Sequence, residues 1–232
     1  VFKGPTKGSI HELSGNTLAS LTRDVVFNGL PLLNHKAIIT TDNDIFWLSR
    51  FGVHSLRTTI EYGDLQSAFL SLPINRMFTG GELSLNQISQ AWGFWHPLYN
   101  IIGWFVTPSG ATTNTTALVY HYLISDPAPN GKKFWSIWKF GGLAGFAGGM
   151  ALTPATNIPR LYIGGSADGF LYQGDQTTLT DANGSAYTAR IKTGLNLDMG
   201  QAGGPLQEKQ FYSVTTFYEP VGTYSHDLQI TV

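Results

Sequence analysis

The 232-residue chain contains no cysteine. That excludes disulfides, thiolate nucleophiles and every cysteine-based zinc or iron–sulfur centre. Charge is scarce as well. Asp, Glu, Lys and Arg make up 12% of the residues, roughly half the usual share in a soluble domain. The 14 basic and 15 acidic side chains leave a formal net charge of -1, which excludes a basic nucleic-acid-binding domain, because gripping phosphates demands clustered Lys and Arg. A surface so poor in charge is better covered than bare, which points to a subunit of an assembly. No apolar run approaches the roughly 20 residues of a membrane-spanning helix. The most apolar window, Leu98 to Val106, has the length of a strand.

Glycine is plentiful, with 27 residues, as a chain with many turns requires. The stretch Pro159 to Asp175, PRLYIGGSADGFLYQGD, reads as a hairpin. Arg160–Ile163 and Gly169–Gln173 supply its aromatic and aliphatic strands, and Gly164 to Gly169 supplies the reversal. The same grammar occurs earlier. Lys36 to Leu56 runs strand, Asp42-Asn43-Asp44 turn, strand, a second turn at Arg50-Phe51-Gly52, and a third strand. Two degenerate copies of one unit indicate a repeat.

In chain order, Phe2 to Gly8 is an irregular lead, and Ser9–Leu13 and Val25–Phe27 are short strands flanking a polar region. From Thr58 to Gln90 the β pattern breaks into one helical excursion near residues 70–90. Ser71 is its candidate N-cap, Pro73 lies in its first turn and Gly80-Gly81 ends it. Leu83 to Ser89 is a second helical turn. This segment reads as a packed connector rather than a groove for a partner. Strands then return at Trp92–Trp95, Tyr99–Val106, Ala117–Ile124 and Phe134–Phe140, the last with both faces apolar and both expected to be covered. Gly141 to Met150 is apolar but too glycine-rich for a helix, and Asp227 to Val232 reads as a final strand.

Short strands between turn signals, without alternating helices, define an all-β protein: a sandwich, barrel or propeller. The Lys36 and Pro159 units favour a β-propeller-like fold of antiparallel meanders. At about 40–50 residues per blade, residues 1–232 would form one domain of about five blade equivalents. A strand near Ser9 would pair with one near Gln210 or Asp227 in the closing blade. The start at Val1, without Met or a signal-like segment, reads as a processed product or a fragment of a longer chain.

A family resemblance covers most of the chain from Lys36 onward. Ile45 to Leu56, IFWLSRFGVHSL, and Tyr62 to Ile74, YGDLQSAFLSLPI, resemble a recurrent pattern of β-propeller virion proteins of tailed bacteriophages. There, a strand pair of the form (I/L)(Y/F)xLSxxGVxSL is followed by a YGDxxxxxLSxPI connector. The hairpin at Pro159–Asp175 and the segment Ala186 to Thr193 are similar to the closing blades of those proteins. The resemblance implies a non-enzymatic structural protein of the virion, a tail nozzle or head–tail connector subunit. It would form a homo-oligomer, contact other tail, portal or adaptor proteins, and let genomic DNA pass without tight binding.

Two other classes of function compete with it. A polysaccharide-cleaving propeller would need paired carboxylates roughly 5–9.5 Å apart. Asp42, Asp44, Asp64, Asp168, Asp175 and Asp181 mostly sit in turns, where Asp bonds its own backbone, and Glu61 and Asp64 lie in the connector. His121, between two tyrosines, reads as packed or hydrogen-bonded. The sequence carries no HExxH, nucleophile elbow, Walker loop or dinucleotide fingerprint. Asp181 to Ser185 has only a partial calcium-loop look and reads as a turn. No catalytic, cofactor or metal residue is therefore assigned. A tail-associated carbohydrate- or receptor-binding propeller would need exposed aromatics beside Asp or Asn in a loop. Trp92, Trp95, Trp104, Trp135 and Trp138 lie in apolar strands and read as core, which leaves Trp95 and His96 as the candidate contact.

Overall fold

Turns rich in Gly, Asn and Asp cut the chain into short strands, and in the computed structural model these form four antiparallel sheets. The structure describes residues 2–3, 8–29, 32–62, 70–126, 131–140, 143–154, 156–165 and 169–174. The first sheet contains β1 (Phe2–Lys3), β2 (Ser9–Ser14) and β3 (Thr22–Asn28); the second contains β4 (Ile38–Thr40), β5 (Ile45–Ser49) and β6 (Gly52–Ser55). The third has four strands, β7 (Trp92–His96), β8 (Ile101–Val106), β9 (Thr116–His121) and β10 (Trp135–Lys139). The fourth contains β11 (Gly145–Leu152), β12 (Pro159–Gly165) and β13 (Leu171–Gln173). Neighbours in each sheet are also neighbours in sequence, so every sheet is a meander. β4, β7 and β11 open their meanders about 50 residues apart, within the range of repeat architectures.

Alternation along the strands decides how the sheets pack. On β8, Ile102, Trp104 and Val106 point to one face and Ile101 and Phe105 to the other; on β9, Leu118 and Tyr120 oppose Ala117 and Val119 in the same way. The first set packs with Ile39, Phe46, Leu48 and Val53 of the second sheet. The second set, with Trp92 and Phe94, packs with Leu161 and Ile163 of the fourth. On β5, Trp47 points the opposite way from Phe46 and Leu48 and joins Ile10 and Val26 of the first sheet. The four sheets therefore stack face to face in chain order. The third sheet, covered on both sides, is nearly all apolar in β8 and β9.

The opening strands approach one another most closely. A Cβ at Gly93 of β7 would lie 2.5 Å from Ile39 Cδ1 of β4, and one at Gly148 of β11 would collide with the Trp92 ring and the Tyr162 carbonyl oxygen. Indole N–H groups cross both interfaces: Trp104 Nε1 donates to the Ala37 carbonyl at 3.0 Å, and Trp92 Nε1 to the Gly145 carbonyl at 3.3 Å. Each buried donor is thus satisfied by the neighbouring sheet.

Several expectations need correction. Helix starts earlier than the sequence pattern indicates, with α1 at Leu56–Tyr62; a 3₁₀ turn at Leu72–Ile74, α2 at Asn75–Thr79 and a 3₁₀ turn at Ile88–Gln90 follow. Ser71 holds the N-cap position of the Leu72–Ile74 turn as expected, but its hydroxyl makes no capping bond and instead accepts the Val53 N–H at 3.0 Å. Met77, Phe78 and Ile88 are buried against the second and third sheets, so this segment is a packed connector. β10 is an edge strand and is covered only in part, leaving Ile137 41% exposed. The strands expected at Ser9–Leu13 and Val25–Phe27 are present as β2 and β3, and they pair into one hairpin. The turn at Ser166–Asp168, Asp64, Asp175, Asp181 to Ser185, Ala186 to Thr193 and the strands proposed near Gln210 and Asp227 lie outside the described residues.

Candidate functional site

The β4–β5 turn and the start of α1 enclose an open depression of about 530 Å³ lined by Asp42, Asn43, Asp44, Arg57, Ile60 and Glu61, among others. Its acidic residues are the carboxylates weighed in the sequence. Asp44 has a structural role here. Its Oδ1 accepts the Ile45 N–H at 2.7 Å and the Arg57 N–H at 2.9 Å, and its Oδ2 accepts the Ser55 hydroxyl proton. Ser55 Oγ accepts the Thr58 N–H at 3.2 Å, so Ser55 and Asp44 together cap the first turn of α1. Among the described residues, no group of three His, Asp or Glu side chains is placed to hold a metal ion. None of their helices is long and apolar enough to cross a membrane.

His54 was not singled out in the sequence, yet it occupies the most unusual polar environment. It is opposite Trp47 in the β5–β6 register, its ring stacks on the indole at 5.4 Å, and Nε2 hydrogen-bonds Ser49 Oγ at 2.8 Å. Burial lowers its pKa to about 4, because a charged imidazolium there would lose its hydration. Ser49 and His54 have the spacing of a nucleophile and base, but both are fully buried, so the pair faces no substrate. The available signal was the tight turn at Arg50-Phe51, which pairs Ser49 with Gly52 and so sets His54 opposite Trp47. His121 hydrogen-bonds Ser136 Oγ at 2.9 Å, and burial lowers its pKa.

Trp95 and His96 end β7 and lead into the turn at residues 97–100. Trp95 is half-buried against the core shared by the second and third sheets, and its Nε1 donates to Tyr122 Oη at 3.3 Å. His96 is only 1% exposed and stacks on Tyr99 with ring centroids 4.4 Å apart. The exposed groups are the next ones along the chain, Leu98 and Tyr99. Trp92 and Trp104 are fully buried, while Trp135 and Trp138 are partly buried against the cores.

No protein-family model matches the chain, and no curated protein matches it.

Proposed function

We propose that this chain is a non-enzymatic structural subunit of a tailed-phage virion, folded as consecutive blades of a β-propeller. It would assemble in several copies with tail, portal or adaptor proteins as a tail nozzle or head–tail connector. The observation that carries this reading is the placement of the phage-like motif. Ile45 to Leu56 spans β5, its turn and β6, and ends at the first residue of α1. Leu48 and Val53 of that motif are fully buried between sheets, and Trp47 and His54 stack on its other face. The resemblance therefore falls on residues that pack one meander against the next. The order of the four meanders and their close-packed opening strands support blade-like stacking.

In such a particle the chain acts as a rigid wall. A near-neutral lumen lets DNA slide, because few counterions are exchanged at each step. The test is antibody labelling of native source particles under the electron microscope. A ring of label at the tail or portal is the expected result, and particles without label overturn the reading. Tight, strongly salt-dependent binding of duplex DNA by the isolated chain would count against the neutral wall.

A further inference from the structure

Beyond its root, the β2–β3 hairpin is a ribbon with two unlike faces. At the root, Ile10 and Val26 pack with Trp47. Past them, alternation puts Glu12 and Ser14 on the side of Ile10 and Leu13 on the opposite side. The register sets Leu13 against Arg23, Glu12 against Asp24 and Ser14 against Thr22, and the Ser14 and Thr22 hydroxyls hydrogen-bond at 2.8 Å. One face is therefore wholly polar, made by Glu12, Ser14, Thr22 and Asp24. The other groups Leu13, Val25 and, continuing the alternation, Leu21 around a single charge, Arg23. Leu13, Leu21 and Val25 are each half-exposed, and Leu18 at the tip is almost completely so.

An antiparallel ribbon that alternates in this way has the pattern of a sheet with one covered face, yet its apolar side faces solvent here. A contiguous exposed apolar patch of this kind marks an interaction surface. The depression beside α1 has the complementary make-up. Ile60, 61% exposed, supplies apolar lining together with Leu56 and Ile45. Asp44 is committed to α1 through its hydrogen bonds, and the remaining carboxylates, Asp42 and Glu61, outnumber Arg57.

We propose that the β2–β3 hairpin of one copy docks in this depression on a second copy of the chain. Leu18 and Leu21 cover Ile60, and Arg23 meets Asp42 and Glu61. Charge selects this pairing over ribbon against ribbon. Two ribbons would bring two Arg23 side chains into one apolar interface, whereas ribbon against depression joins a cation to a net negative lining. Donor and receiver are different surfaces, so the contact is heterologous. It joins copies head to tail and generates a ring or a filament rather than a closed pair. The inference rests on the homo-oligomer part of the reading above and supplies its interface.

The test exploits the absence of cysteine. The full chain carrying Leu18→Cys and Ile60→Cys together, or either one alone, is treated with a short bis-maleimide at concentrations where sedimentation velocity shows association. The double variant is expected to give a ladder of dimers, trimers and larger species on a denaturing gel, and each single variant no crosslinked species. Arg23→Glu is expected to weaken self-association about tenfold, and Glu61→Arg added to it to restore association. Both side chains are exposed, so Tm is expected to stay unchanged. The proposal fails if the chain stays monomeric up to its solubility limit, which would leave the ribbon to a different partner. It also fails if Leu18→Cys crosslinks alone as well as the double variant does, if Arg23→Glu leaves association unchanged, or if Glu61→Arg gives no rescue. A ladder from a chain that antibody does not find on particles would refute the virion reading and keep this contact; a labelled ring of particles without a ladder would do the reverse.

Discussion

Trp47 and His54 face each other across β5 and β6 because the register pairs them, and that placement makes stability depend on pH. The folded pKa of His54 is about 4 against an ordinary 6.5. Above pH 6.5 both states hold the imidazole neutral. Below it the unfolded chain gains a proton that the folded chain refuses until about pH 4, so stability is lost as pH falls through that window. The full loss is about 3 kcal/mol. Urea unfolding at pH 7 and pH 4.5 should show a steeper decline for the wild type than for His54→Asn; equal declines would mean that His54 is not held neutral. Asp44→Ala should cost about 2 kcal/mol in the same assay, since it leaves two backbone donors and a hydroxyl without their acceptor, whereas Asp44→Asn keeps one acceptor oxygen and should cost less. Of these residues, the sequence made Asp44 legible as a turn Asp, but not as the cap of a helix more than ten positions later. That role exists only once β5 and β6 have folded back. Trp95 and His96 drew attention as aromatics beside a turn, yet alternation buries His96, and the exposed ring belongs to Tyr99.

At the level of elements, legibility followed local grammar. The meander at Lys36–Leu56 and the strands of the third sheet were readable because turn residues bound short runs rich in aromatic and β-branched side chains. α1, LRTTIEY, was not readable because it contains two Thr residues of poor helix propensity, and its second cap comes from Asp44. Ser55, a favoured N-cap residue directly before Leu56, was the local hint that a helix begins there. The contact between β7 and β11 was beyond a periodicity argument, since it depends on a missing side chain. Gly148 faces Trp92 and Tyr162, whereas no atom lies within 4 Å of a Cβ placed on its neighbour Gly149. Gly148→Ala should therefore destabilise the protein by about 1–3 kcal/mol through overpacking. Gly149→Ala should be neutral or slightly stabilising, because it also lowers the entropy of the unfolded chain. Thermal unfolding of the two variants checks the direction of stacking, and equal Tm values would show that the fourth sheet does not press on β7.

For the molecule as a whole, the stack implies a gradient of local stability. β8 and β9 are flanked by hydrogen-bonded strands on both edges and covered by a sheet on each face, and every residue of β8 is buried. Their amides can open only when the packing on both faces is lost, so they should exchange at the rate set by global unfolding. The β2–β3 hairpin is the opposite case. Every residue from Glu12 to Val25 is exposed, and Leu18 at its tip is 95% exposed. A two-stranded segment without a covered face has little to hold it closed, so its amides should exchange through local opening, orders of magnitude faster. Native-state hydrogen exchange read by mass spectrometry separates these peptides directly. Slowest exchange in β8 and β9, intermediate exchange in β5 and β12, and fastest exchange at Glu12–Val25 is the pattern that face-to-face stacking requires. If β8 exchanged as fast as the hairpin, the third sheet would not be the centre of the fold, and the wall-like rigidity proposed for a virion subunit would lose its physical basis.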